Sequence, residues 1–126
     1  LYKDSFTYYG EKLHNFVIEQ MVESDFAINL ISKDIQTKLS PNKNYEYLLA
    51  GPVLVTDHKK LNIELPENAY LYVDKDASAE EITTKIIDFI KRKSEFDEMK
   101  DRAKEFMRVN KLFWESYESK YLSIFR

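Results

Sequence analysis

Two short apolar runs constrain the fold of this chain more than any other feature. Residues 26–31 and residues 53–56 are compact and mostly apolar, which suits strands buried on both faces. Residues 11–24 carry apolar side chains at helical spacing, and residues 44–50 predict a short helix stopped by a Gly-Pro pair. Because helix and strand alternate, right-handed crossovers and a parallel sheet are expected.

The remaining patterns extend this α/β prediction. Residues 6–9 are β-prone and end at Gly10, and residues 69–73 suit a last strand. Ser78 and Glu81 have the spacing of a capping box, which opens a helix. From about residue 94 apolar residues recur at steps of three and four. The predicted fold is therefore a partial parallel sheet of about four strands, with flanking helices and a long C-terminal amphipathic helix.

Composition excludes several classes of protein. The chain has 126 residues, the size of one domain, and 44% of them are apolar. A net charge of −3 with mixed signs argues against a nucleic-acid partner. The absence of cysteine excludes disulfides and thiolate metal sites, and it fits the cytoplasm, including the inner face of the membrane. No signal peptide or membrane-spanning run is visible in the sequence. Because the sequence begins with Leu1 and not Met, we expect a domain of a longer protein, although processing would give the same start.

Ligand sites in parallel α/β sheets lie beyond the carboxyl ends of the strands. The loops at those ends contain Gly10, residues 32–43, residues 57–60 and residues 74–77. His14 and His58 are the only histidines, and the carboxylates lack a recognisable ligand spacing, so no metal site is predicted. His58 follows a strand and is a candidate ligand contact, although an ordinary loop histidine is the commoner interpretation.

The most informative segment is residues 41–57, where a loop leads into a two-turn helix, then Gly-Pro, then a buried strand. A helix N-terminus beside a crevice offers free N–H groups and a positive dipole end to an anion, and Lys43 adds a charge. Glu46 lies one turn later and can accept two hydrogen bonds from a vicinal diol such as ribose. From the residues alone, two solvated surface charges are an equally good interpretation.

The segment from Lys43 to Val53 resembles the K-x-x-E-Y-L-A-x-G-x-P-V pattern of B-type-fold glycosyltransferases. Residues 23–28 are similar to the helix end and buried strand of that family, and Phe113-Trp114 to its late aromatic-Trp pair. The resemblance covers roughly residues 5–120. The chain departs from the pattern in two places: Lys38 stands where many members have a second glutamate, and Gly51 and Pro52 are adjacent.

The resemblance implies a Rossmann-like, C-terminal domain that binds a nucleotide diphosphate sugar as substrate and needs no cofactor. By position, Glu46 would bind the ribose, and Ser40, Asn42 and Lys43 would hold the diphosphate. The acceptor, a glycan or a lipid-linked molecule, would be bound by a missing N-terminal domain, as in polysaccharide biosynthesis. The isolated chain is then expected to be inactive. Further candidate contacts at strand ends are Ser32, Gly10 and His58.

Two other functions remain open at this point. One is a non-catalytic interaction domain on the same sheet, since a fold does not determine a function. The other is a domain like that of a sugar-nucleotide epimerase. Either way, a sheet of so few strands has an exposed edge. We expect residues 6–9 to pair directly with residues 26–31, or a second copy of the chain to cover that edge in a homo-oligomer.

Overall fold

The residues described by the computed structural model are 6–30, 42–58 and 66–110. Within these ranges the chain forms four α-helices, three strands and one 3-10 turn. In chain order they are α1 (His14–Glu23), β1 (Phe26–Asn29), α2 (Asn42–Ala50), β2 (Val53–Thr56), the 3-10 turn (Glu67–Ala69), β3 (Leu71–Tyr72), α3 (Ala79–Ile90) and α4 (Lys93–Val109).

The sheet is parallel, and its strands lie in the order β1-β2-β3. Residue Phe26 pairs with Val53 at one end of β1, and Asn29 pairs with Thr56 at the other. β2 continues this register into β3. The predicted α/β class with a parallel sheet is thus confirmed, and the carboxyl ends of all three strands meet at one edge.

Side chains alternate between the two faces of the sheet, and each face has its own core cluster. Val53 and Val55 pack on the side of α3 and α4, whereas Leu54 packs on the side of α2 against Leu48. α4 contributes Met99 to the cluster around Val53 and Val55, and it contributes Ala103 and Met107 to the cluster around Leu48 and Leu54. The apolar stripe of this 17-residue helix confirms the amphipathic prediction over its described length.

The strand predicted at residues 6–9 is wrong, so the described residues hold three strands and not about four. The segment has no regular secondary structure, and its Tyr9 ring lies edge-on to Phe16 of α1, with 5.2 Å between ring centroids. β-propensity reflects packing against neighbouring strands, and here the aromatic side chain packs on a helix. The re-pairing of residues 6–9 with β1 is therefore wrong as well.

The observed boundaries of the other helices and strands differ from the predicted ones by a few residues. β3 is shorter than predicted because Ala69 belongs to the 3-10 turn, although the Val73 N–H still donates to Thr56 O at 3.0 Å. Helix α1 begins at His14, since no side chain caps it earlier. The capping box is confirmed: the Glu81 N–H donates to Ser78 Oγ at 3.2 Å, and the Ser78 N–H donates to Glu81 Oε2 at 2.6 Å.

Candidate functional site

A row of three polar side chains crosses the carboxyl end of the sheet. Asn29, Thr56 and Tyr72 are the last residues of their strands and are paired in register. Residues paired in this way point to the same face, roughly 4.8 Å apart. Tyr72 packs against the Leu48 cluster, so this face is the one covered by α2. Thr56 is fully buried and accepts a hydrogen bond from the His58 N–H at 3.2 Å.

Helix α2 is tied to this row by an amide pair. Asn29 Nδ2 donates to Asn44 Oδ1 at 2.6 Å, which joins the end of β1 to the first turn of α2. The Asn44 side chain is fully buried. Its own Nδ2 has no hydrogen-bond partner among the described residues. An unpaired buried donor costs free energy. This position therefore offers a donor at the start of α2.

Lys43 and Glu46 lie together on the outer side of the first turns of α2. Lys43 Nζ is 3.1 Å from Glu46 Oε2, and the side chains are 53% and 34% exposed. Residues three apart on a helix are neighbours, so the sequence spacing accounts for the contact. We refer to Asn29, Lys43, Asn44 and Glu46 together as the α2 site. It combines an exposed cation and a partly exposed carboxylate in the first turns of α2 with the Asn29–Asn44 amide pair, in which Asn44 is buried.

The far end of α2 is held by Gly51. This residue adopts φ = +108°, a conformation that glycine tolerates, and its N–H donates to Tyr47 O at 3.0 Å. A Cβ at this position would lie 2.5 Å from Lys104 Cε of α4. The carboxyl end of α2 therefore packs closely against α4, and Leu48 of α2 is fully buried.

The other predicted site residues lie in different parts of the chain. Asn42 is the first residue of α2, but its side chain is outside the described atoms, and Ser32 and Ser40 lie outside the described residues. His58 is half-buried at the end of β2. Gly10 precedes α1 with φ = +67°, and apart from its chain neighbours no described residue lies within 4 Å of where its Cβ would stand. The structure therefore brings Lys43 and Glu46 into contact, and the ligand roles of all seven residues stay predictions.

A separate cleft of about 360 Å³ opens after β3, on the face covered by α3. Its rim includes three carboxylates and one cation, Lys85, whose Nζ donates to Tyr72 O at 2.6 Å. Three carboxylates repel a diphosphate, so electrostatics favours the α2 site, where one lysine faces one carboxylate, for an anionic ligand. The three acidic residues are Asp74, Asp76 and Glu81.

Neither a metal cluster nor a membrane-crossing helix is found in the described part of the chain. No three His, Asp or Glu side chains within residues 6–30, 42–58 and 66–110 group in a way that could hold a metal ion. None of the helices in these ranges is both long enough and apolar enough to cross a bilayer.

Sequence reasoning missed the Asn29–Asn44 pair. Asn29 is the one polar residue in the run from 26 to 31, and a polar residue in an otherwise apolar strand indicates a buried partner. That signal was available, but it does not say which residue supplies the partner. Asn44 lies 15 residues later and looks like an ordinary helix residue in the sequence.

Comparison with known proteins finds no matching family model, no matching curated protein and no matching solved structure.

Proposed function

We propose that this chain is the nucleotide-sugar-binding domain of a glycosyltransferase, with a Rossmann-like sheet. The donor would lie across the carboxyl ends of β1 and β2, at the first turn of α2. The observation that carries the proposal is the contact between Lys43 and Glu46, 3.1 Å apart at the start of that helix. A nucleoside diphosphate presents a phosphate and a ribose diol, and this pair offers one group suited to each.

The ion pair between Lys43 and Glu46 is not an obstacle to ligand binding. Exposed pairs of this kind contribute about 0.2–1 kcal/mol. A charged hydrogen bond to a ligand contributes about 1.5–3 kcal/mol. Exchanging the internal contact for a phosphate at Lys43 Nζ and a ribose hydroxyl at Glu46 Oε2 is therefore favourable. The N–H groups of the first turn of α2, which have no acceptor within the helix, add a positive dipole end.

In this proposal the domain acts on the leaving group. Transfer of the sugar leaves a nucleoside diphosphate with increased negative charge on its terminal phosphate. Lys43 and the α2 amides would stabilise that charge without reorganisation. Glu46 would hold the ribose and so orient the scissile bond. The acceptor, a glycan or lipid-linked molecule, would be held by another domain, so we expect no sugar transfer by the 126-residue chain alone.

Calorimetric titration tests the proposal directly. The ligands are nucleoside diphosphates with different bases, the matching nucleosides, and inorganic pyrophosphate. We expect at least one nucleoside diphosphate to bind more tightly than its nucleoside and more tightly than pyrophosphate, because only it reaches both Lys43 and Glu46. Binding of no nucleotide at millimolar concentration contradicts the proposal. Sugar transfer by the purified chain would contradict the need for a second domain.

A non-catalytic interaction domain is the second candidate, and one observation favours it. Several apolar side chains near β1 and α1 are exposed, among them Ile28, Leu30 and Val22. Exposed apolar groups that lie together indicate a surface for another protein. The same nucleotide titration separates the two candidates, since an interaction domain of this kind has no need of a ribose-binding carboxylate.

A further inference from the structure

β1 is an edge strand with one partner in the sheet. It pairs with β2 on one side, and no described residue pairs with it on the other. The segment 6–9, which was expected to supply another strand, does not form one. Exposed strand edges recruit further strands unless the chain blocks them, usually with a charge, a proline or a bulge. β1 has the sequence Phe-Ala-Ile-Asn and a continuous register with β2, so it carries none of these devices.

The register shows which main-chain groups face the open side. The Val53 N–H donates to Asp25 O at 2.9 Å, so the main-chain groups of Asp25 point toward β2. Orientation alternates along a strand, so Ala27 and Asn29 also point toward β2. The N–H and C=O groups of Phe26 and Ile28 therefore point away from the sheet. Leu30 comes directly after the strand, and an extended continuation of the chain would turn its main-chain groups to the same side as those of Ile28.

The side chains along this edge are uncharged and exposed near its carboxyl end. Ile28 is 53% exposed and Leu30 is 44% exposed. A cleft of about 240 Å³ lies beside the start of the strand, lined mainly by apolar side chains of α1, β1 and α2. Two copies of an uncharged strand edge do not repel each other when they pair, so electrostatics does not oppose self-association here. The same edge offers no charge that would select an acidic or a basic peptide.

We propose that β1 pairs antiparallel with β1 of a second copy, about a two-fold axis at Ile28, giving a six-stranded sheet from two three-stranded ones. The outward-facing residues are self-complementary in this register: Ile28 pairs with its own copy, and Phe26 pairs with Leu30 of the other chain. Each such antiparallel pair exchanges two backbone hydrogen bonds, about six in all. An isologous interface of this kind closes after two subunits. This inference does not depend on the proposed nucleotide site.

Disulfide trapping tests the register, and the chain suits it because it has no cysteine. Residues facing each other in a hydrogen-bonded antiparallel pair have Cα atoms about 5.5 Å apart, within the range that a disulfide spans. We expect Ile28→Cys to form a covalent dimer under mild oxidation, visible on a non-reducing gel. The matched control is Ile87→Cys, a similarly exposed apolar position on α3, the helix whose Lys85 bonds to Tyr72 of β3 at the opposite edge of the sheet. It should stay monomeric on the same gel.

Sedimentation of the wild-type chain gives the second measurement. We expect a dimer at high micromolar concentration, and a monomer for Ile28→Lys, which places two like charges at the axis. Circular dichroism should show Ile28→Lys folded, since the side chain is mostly exposed. A wild-type monomer at that concentration overturns the proposal. Equal cross-linking of Ile28→Cys and Ile87→Cys, or a dimer that survives Ile28→Lys, overturns it too, because the contact would then lie elsewhere.

Discussion

Asn29 Nδ2 donates a hydrogen bond to Asn44 Oδ1 at 2.6 Å, and this contact positions the start of α2 over the end of β1. The pair links a strand end to the helix that carries Lys43 and Glu46. Asn44 is a fully buried residue of α2, so it acts as a positioning residue and not as a surface contact. Substitutions at Asn44, Lys43 and Glu46 therefore distinguish a structural role from the proposed ligand roles.

Replacing Asn44 should destabilise the fold. Asn44→Ala removes the acceptor of the Asn29 amide and leaves a small void, so we expect a loss of about 1–3 kcal/mol in the free energy of unfolding. Urea denaturation followed by circular dichroism measures it. Asn68→Ala is the control, because Asn68 is exposed and its replacement should change stability by less than about 0.5 kcal/mol. Equal stability of the two variants would show that the amide pair contributes nothing.

Glu46→Gln should lower nucleotide affinity while leaving the fold intact. It keeps the shape of the side chain and removes the charge, so we expect about a tenfold or greater loss for nucleoside diphosphates. Nucleosides should lose affinity as well, and pyrophosphate should not, since the carboxylate is proposed to hold the ribose. Asp88→Asn is the matched control, because Asp88 forms a similar i,i+3 pair with Lys91 on α3. Equal calorimetric affinities of Glu46→Gln and wild type would refute the ribose role.

Lys43→Ala should weaken diphosphate binding by about tenfold at low ionic strength and by less at high salt, because salt screens an exposed charge. Nucleoside affinity should change little. Lys91→Ala removes an ion-paired lysine of similar exposure on α3 and serves as the control. Calorimetry at two salt concentrations measures both variants. A loss that is the same at both concentrations would mean that the lysine acts through packing or folding and not through its charge.

Gly51→Ala should destabilise the chain for two separable reasons. The φ of +108° is strained for any residue with a Cβ, and that Cβ would lie 2.5 Å from Lys104 Cε. We expect a cost of about 1–3 kcal/mol in urea denaturation. Adding Lys104→Ala removes the steric contact and leaves the backbone strain, so the double variant should recover only part of the loss. Complete recovery would show that the lysine contact was the whole effect.

The capping box should contribute a pH-dependent part of the stability. The N–H of Ser78, and then its side chain, lower the pKa of Glu81 below its usual range. The folded pKa is therefore below the unfolded one, so the stabilisation is complete above about pH 4.3 and is lost as the pH falls through the folded value. Urea midpoints of wild type and Glu81→Gln should differ at neutral pH and converge in acid. Glu80→Gln, outside the box, should not reproduce this pattern.

The parts of the fold that local chemistry controls were predictable. Residues 53–56 are the observed strand β2, and Ser78 and Glu81 form the predicted capping box. Lys43 and Glu46 meet because a helix places residues three apart side by side. The error at residues 6–9 has the opposite origin. A β-prone segment becomes a strand when a neighbouring strand is available, and here Tyr9 packs on Phe16 of α1.

The sequence by itself determined the α/β class, the apolar faces of the helices and the contact between Lys43 and Glu46, because each depends on periodicity or spacing within one element. Only the tertiary structure decided that Asn29 and Asn44 pair and that no described strand pairs with the Ile28 edge. It also decided that α4 contributes side chains to both core clusters. Those relationships join residues far apart in the chain, and they depend on which strands become neighbours. Strand order is a property of how all the elements pack, and no single segment encodes it.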